Sequence, residues 1–163
     1  MLNEKTVMET YLEKSLQERR DEFERFQIKY PMSIPMFIDV SSLANKNENC
    51  HRLKKNKFLV PRMKKIKIKD EKGNVVIGED GNEKTQESIM TIGDVMATTR
   101  AYMMPDAKGR TLTKEESLFF HIHNNDGIML SSDLPLVEAV KRYAAEDGFL
   151  YIVYSTETVM GHY

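Results

Sequence analysis

His121 and His123 flank Ile122, so on an extended strand both imidazoles project from one face and could share a metal ion. No carboxylate or thiol completes the set, and two ligands do not make a metal site, so the pair reads as polar residues on a half-solvated strand face. Cys50 and His51 offer the residue types of a thiol nucleophile and its base. Adjacent side chains seldom point at each other, however, and this pair sits in a polar connecting stretch. The chain carries no glycine-rich phosphate loop, no paired-cysteine metal spacing and no nucleophile elbow. Neither catalytic residues nor a cofactor are therefore expected, and the chain does not read as an enzyme.

Two other features carry chemistry of a different kind. Lys57-Phe58-Leu59-Val60-Pro61 is a short strand in a basic setting, ended by a residue without an N–H. Such a strand either packs as ordinary sheet or, at an edge, accepts an added peptide strand with pockets for alternate side chains. Near the C-terminus, Gly161 follows a few polar residues after a final strand and precedes only His162 and Tyr163. With no Cβ, a glycine carbonyl passes through a narrow channel and is attacked without hindrance, which suits acyl activation and transfer.

The elements that must position these residues follow from periodicity. Leu12, Leu16, Phe23, Phe26 and Tyr30 form a narrow apolar stripe, predicting a helix that lies on the outside of another layer and stops at Pro31. A shorter helix is read near 4–10. Ile34, Met36, Ile38 and Val40 alternate as a strand, with Pro35 restricting it to a strand start or an edge. The polar 41–56 is a connection before the strand at 57–60. The segment 64–89 reads as an inserted arm, either a surface loop or a hairpin turning at 70–74, with 78–87 polar.

Thr91 and Asp94 form a weakened capping box that opens a helix through Met103, closed by Pro105. A strand at 118–123, a loop at 124–132, a helix capped by Asp133 and ended by Gly148, and a strand at 149–154 complete the order. Strand, strand, helix, strand, helix, strand suits an α+β mixed sheet with helices on one face. That arrangement is the β-grasp, or ubiquitin-like, fold.

Composition sets the frame. At 163 residues, 40% hydrophobic and 30% charged, the chain can bury one domain's core, and its net charge of −1 provides no whole-chain attraction to polyanions. The tract 52–69 is strongly basic, but Phe58 is its only aromatic residue, so the stacking element of a nucleic-acid surface is missing and no nucleic acid is expected. A single cysteine excludes an internal disulfide and fits a reducing compartment. The N-terminal MLNEKTVMET lacks the pattern of a secretory signal, and no run is long and apolar enough to cross a bilayer.

Taken together, 18–31 (ERRDEFERFQIKYP), Ile34-Pro35, Lys57–Pro61 (KFLVP), 91–93 (TIG), 118–125 and above all 146–155 (EDGFLYIVYS), followed by Gly161, resemble the autophagy ubiquitin-like modifiers, the GABARAP and microtubule-associated-protein light-chain family. The similarity runs from about Leu12 onward, apart from the arm at 64–89 and a smaller insertion at 106–111. The resemblance implies a β-grasp domain over 31–161 with two extra helices in 1–30 packed on it. It also implies that a cysteine protease removes 162–163. Activating and conjugating enzymes of the autophagy system then pass Gly161 to phosphatidylethanolamine, so a cytoplasmic protein gains a lipidated form on autophagosome membranes. Cargo receptors would add an aromatic-x-x-aliphatic motif as a strand beside the KFLVP strand. By resemblance, one pocket comprises Glu22, Phe26, Pro35, Phe37, Lys57, Leu59 and Phe149, and the other Phe58, Val60, Pro61, Val95 and Thr98.

The chain departs from the family at several points. Thr98 stands where an apolar residue is usual and Val95 where an aromatic one is, which makes the second pocket shallower and more polar. Tyr102 replaces a basic residue, and Met160 replaces the aromatic residue before the glycine. The arm begins directly after Pro61, beside the groove. Alternatives are a modifier joined to a protein lysine, an adaptor never conjugated, and, from another class, a basic-surface module for nucleic acid or cytoskeleton.

Overall fold

The computed structural model describes residues 5–156, the side chain of Asp126 excepted, so Gly161 lies outside the described residues. In chain order come α1 (Val7–Tyr11), α2 (Leu16–Lys29), β1 (Ser33–Val40), a 3-10 turn (Ala44–Lys46), β2 (Lys57–Pro61), β3 (Met63–Lys67) and β4 (Thr85–Ile89). Then follow α3 (Ile92–Ala101), β5 (Leu118–Ile122), β6 (Asn125–Met129), α4 (Leu136–Tyr143) and β7 (Leu150–Thr156). Five strands make one mixed sheet in the order β2-β1-β7-β5-β6, with β1 and β7 parallel at its centre and the other pairs antiparallel. This is the β-grasp order, with α1 and α2 added ahead of it.

The sheet is covered on both faces, not on one as the alternation of β1 suggests. Ile34, Met36, Ile38 and Val40 of β1 join Leu150, Ile152 and Tyr154 of β7 in a core with Ile92 and Val95 of α3 and Leu136 and Ala139 of α4. On the opposite face Phe37, Phe149, Tyr151 and Val153 pack with Met8 and Tyr11 of α1, and Phe23 and Phe26 of α2 rest against them. The unbroken apolar run Phe149-Leu150-Tyr151-Ile152-Val153-Tyr154 is the sequence trace of that double burial. Pro35 fits inside β1 because the β7 ladder begins one residue later, at Met36 opposite Leu150.

Several boundaries differ from the sequence reading. The apolar stripe from Leu12 to Tyr30 is split: Leu12 ends α1, and the Ser15 hydroxyl accepts the Glu18 N–H at 3.1 Å to start α2. The expected loop at 124–132 contains β6, which pairs with β5 across a two-residue link in which Asn124 takes a left-handed φ of 63°. Its polar composition hid an outer strand. Asp133 does not cap α4; its carboxylate accepts the Ser131 hydroxyl at 2.5 Å, Pro135 precedes the helix, and the helix ends at Tyr143, well before Gly148.

The arm is folded. β3 and β4 form an antiparallel stem, Met63 opposite Ile89 through Lys67 opposite Thr85. Beyond it the chain makes two tight turns joined by a ring of backbone bonds: Ile68 N–H to Lys84 O (3.0 Å), Lys84 N–H to Val76 O (2.8 Å) and Val76 N–H to Ile68 O (2.9 Å). Gly73 and Gly81 supply the left-handed residue of each turn, at φ of 83° and 82°. The Asp70 carboxylate collects the N–H groups of Lys72 and Asn74, and Asp80 that of Asn82, so the turn chemistry is local and polar.

Candidate peptide-binding groove

β2 is the outer strand of the sheet. Ile38 donates to Asn56 O at 2.9 Å, and antiparallel ladders alternate, so the residues bonded across to β1 are Phe58 with Met36 and Val60 with Ile34. Lys57 and Leu59 therefore turn their backbone N–H and C=O outward, and Pro61 closes that edge without a donor. The side chains alternate as well: Phe58 and Val60 point into the core beneath α3, while Lys57 and Leu59 face the side covered by α1 and α2. An added strand would find different surroundings on each face.

The residues expected for the first pocket come together on the α1/α2 side. Lys57 pairs with Glu22, and its ammonium lies 5.6 Å from the Phe26 ring centroid and 5.4 Å from that of Phe37. Phe149 meets Phe26 and Phe37 edge-on at 6.3 and 5.2 Å. Pro35, opposite Leu59 in the ladder, is buried at the base. Burial works against the Glu22 charge, but the Lys57 ammonium and the Tyr11 hydroxyl outweigh it and hold the carboxyl below its usual range.

The second set is divided. Phe58, Val60 and Val95 are buried in the main core, while Pro61 and Thr98 are exposed, the Thr98 hydroxyl donating to Asp94 O at 3.2 Å. Phe58 is capped edge-on by Tyr102 at 5.6 Å, and the Lys55 ammonium sits 4.8 and 4.6 Å from those two ring centroids. Lys55 thus brings a positive charge to the neighbourhood of Tyr102, which stands in place of a basic residue. The arm roots beside this set: the Lys64 Nζ lies 2.7 Å from both carboxylate oxygens of Asp94, which also closes the Thr91 capping box. Pro61 and Thr98 stay uncovered by it.

Sequence reasoning missed Tyr11 and Lys55, whose partners are remote in the chain or specified by nothing local. A third feature outside the groove is a cleft of about 530 Å³ beside the smaller insertion, lined by His51, Asp106 and Arg110 among others.

Burial pushes the Cys50 thiol up to about 11, while His51 places Nδ1 3.2 Å from Met104 O, so the two hold separate surroundings. His121 lies in β5 at a register shift, and His123 donates its backbone N–H to Tyr151 O at 3.1 Å. Among the described residues no three histidine, cysteine, aspartate or glutamate side chains gather as a metal site, and no helix is long and apolar enough to cross a membrane.

No protein-family model matches the chain. Among solved structures it is similar to Trypanosoma brucei ATG8, with a TM-score of 0.57 and 20% identity over 90% of this chain and 91% of that one. It is also similar to Plasmodium falciparum Atg8 in complex with a Plasmodium falciparum Atg3 peptide, with a TM-score of 0.55 and 23% identity over 88% and 91%. The shared architecture spans nearly the whole length of each chain, and at these identities it establishes the fold.

Proposed function

We propose that this chain is an autophagy ubiquitin-like modifier of the Atg8 kind, acting as a conjugated adaptor and not as a catalyst. The observation that carries the reading is the outer edge of β2. Lys57 and Leu59 turn unpaired strand edge outward between an aromatic cluster on one face and the α3 core on the other. The fold shared with Atg8 structures, one of them holding an Atg3 peptide, supports it. In this reading a cysteine protease removes His162 and Tyr163, and the autophagy activating and conjugating enzymes transfer the Gly161 acyl group to phosphatidylethanolamine. The lipidated form then sits on autophagosome membranes, where β2 receives the aromatic-x-x-aliphatic motif of cargo receptors.

The test is intact mass and membrane fractionation in the protein's own cells, wild type beside Gly161→Ala. Loss of 162–163, a phosphatidylethanolamine-sized mass increase and movement to membranes, all absent in the variant, are expected. A wild type that keeps its full C-terminus and stays in the soluble fraction overturns the conjugation. A mass increase corresponding to a protein instead of a lipid moves the reading to a modifier of protein lysines.

A further inference from the structure

The side chain of Tyr11 makes the contacts that a ligand's aromatic anchor would need in the first pocket. Its ring lies tilted against Phe37 with centroids 4.3 Å apart and meets Phe149 edge-on at 5.8 Å. The Lys57 ammonium lies 5.1 Å from its centroid, and its hydroxyl donates to the Glu22 carboxylate at 2.6 Å. Phe37, Phe149, Lys57 and Glu22 all belong to the pocket set. What remains open there is small, because Tyr11 is 8% exposed, Phe37 2% and Phe149 0%.

Tyr11 arrives on a short element of its own. α1 is a helix of five residues, closed by the Thr6/Glu9 capping box and tied to the sheet by burial of Met8 and by the Met8 N–H to Asp39 bond of 2.9 Å. A break at Leu12–Ser15 parts it from α2, which carries Phe26 and Glu22 independently. Short elements with few buried side chains open locally at a fraction of the global unfolding cost. Outward rotation of α1 about that break would bare the Phe37 and Phe149 rings and free the Lys57 ammonium from one of its three aromatic partners.

We propose that Tyr11 is the specificity-determining residue of the groove, a resident anchor that an incoming aromatic side chain must displace. The inference rests on the peptide-groove reading above. With Tyr11 seated, a bulky aromatic residue gains little over a small aliphatic one, since its site is occupied in most molecules and its apparent affinity falls by the fraction of chains with α1 released. The groove then selects ligands through the β2 edge and the opposite face, and removal of the Tyr11 ring restores a preference for aromatic anchors.

The test uses the full chain and two labelled acidic peptides, one with Trp at the anchor position and Leu three positions on, the other with Val in place of Trp. Binding is followed by fluorescence anisotropy to wild type, Tyr11→Ala and Tyr11→Phe, each checked for a cooperative melt. The wild type is expected to bind the two peptides within about threefold of each other, and Tyr11→Ala to bind the Trp peptide about tenfold tighter with little change for the Val peptide. Tyr11→Phe, which keeps the ring contacts and loses the Glu22 bond, should fall between. If wild type already prefers Trp strongly and Tyr11→Ala weakens it, Tyr11 is a wall of the pocket and the inference falls while the groove reading stands. If neither peptide binds any folded variant, the groove reading itself falls and takes this inference with it. Should Tyr11→Ala fail to fold, a Trp/Val ratio in Tyr11→Phe equal to that of wild type overturns it.

Discussion

Phe23 of α2 lies over the α-carbon of Gly148, so close that a β-carbon there would come within 2.6 Å of two of its ring carbons. Gly148 also has a φ of 99°, in the region that L side chains avoid. The same ring meets Phe149 edge-on at 5.2 Å, so the close approach seats α2 on the sheet. Gly148→Ala must displace the ring and strain the backbone together, for a loss of roughly 2–4 kcal/mol. Chemical denaturation reads this, and a loss below about 1 kcal/mol would mean that α2 shifts freely.

The neighbouring Asp147 ties the same corner electrostatically. Its side chain is 0% exposed and accepts from Arg19 at 2.6 Å, the Tyr151 hydroxyl at 2.5 Å and the Phe149 N–H at 2.8 Å. Asp147→Asn keeps the size and one acceptor for the Phe149 N–H, but it removes the charge that Arg19 faces and puts an NH2 donor where the Tyr151 hydroxyl and Arg19 now donate. A loss of about 1–3 kcal/mol is expected, the order of the cost when a buried polar group loses its partner. Arg19→Gln in the Asn background should then cost little more, which a double-mutant cycle measures directly.

How far this was legible varies by element. The KFLVP strand, the Thr91/Asp94 box and the apolar run of β7 are local patterns, and each reappears in place. β6 was not legible, because its sequence Asn-Asp-Gly-Ile-Met opens on three turn-forming residues and shows no apolar alternation, and its hairpin depends on one left-handed asparagine. The arm's turn at 70–74 was visible as Asp, Gly and Asn, whereas the second turn lay in a stretch that read only as polar, and the three-way ring of Ile68, Val76 and Lys84 pairs residues whose side chains specify nothing about one another. Tyr11 had no signal at all: its partners Phe37 and Phe149 are brought to it only by the tertiary fold.

Cys50 should be chemically silent in the native protein. Burial raises its thiol to about 11, with the nearby Arg52 charge only partly offsetting that, so thiolate is scarce at neutral pH and the sulfur is sheltered as well. Iodoacetamide at pH near 8 is expected to label the native chain far more slowly than the urea-unfolded chain, with mass spectrometry as the readout. Native labelling at the rate of a free peptide thiol would reopen the nucleophile reading of Cys50.

Stability should fall on acidification, and the groove supplies part of the reason. Glu22, despite burial, is held below its ordinary value of 4.5 by Lys57 and Tyr11, and Asp94, also despite burial, below its ordinary 3.8 by Lys64 and Thr91. A depressed carboxyl contributes stability that is fully present above its unfolded value and is lost as pH drops through its lower folded value. The window is therefore below about pH 4.5, where protonated Glu22 no longer pairs with Lys57. Asp39 opposes this: burial raises its carboxyl despite the N–H bonds from Met8 and Val40, so protonation there relieves a cost in the native state. The thermal midpoint is expected to hold from pH 7 to 5 and to decline below it. Glu22→Gln should flatten that decline while lowering the plateau. An unchanged acid profile in Glu22→Gln would mean that the Glu22–Lys57 pair adds nothing to the fold.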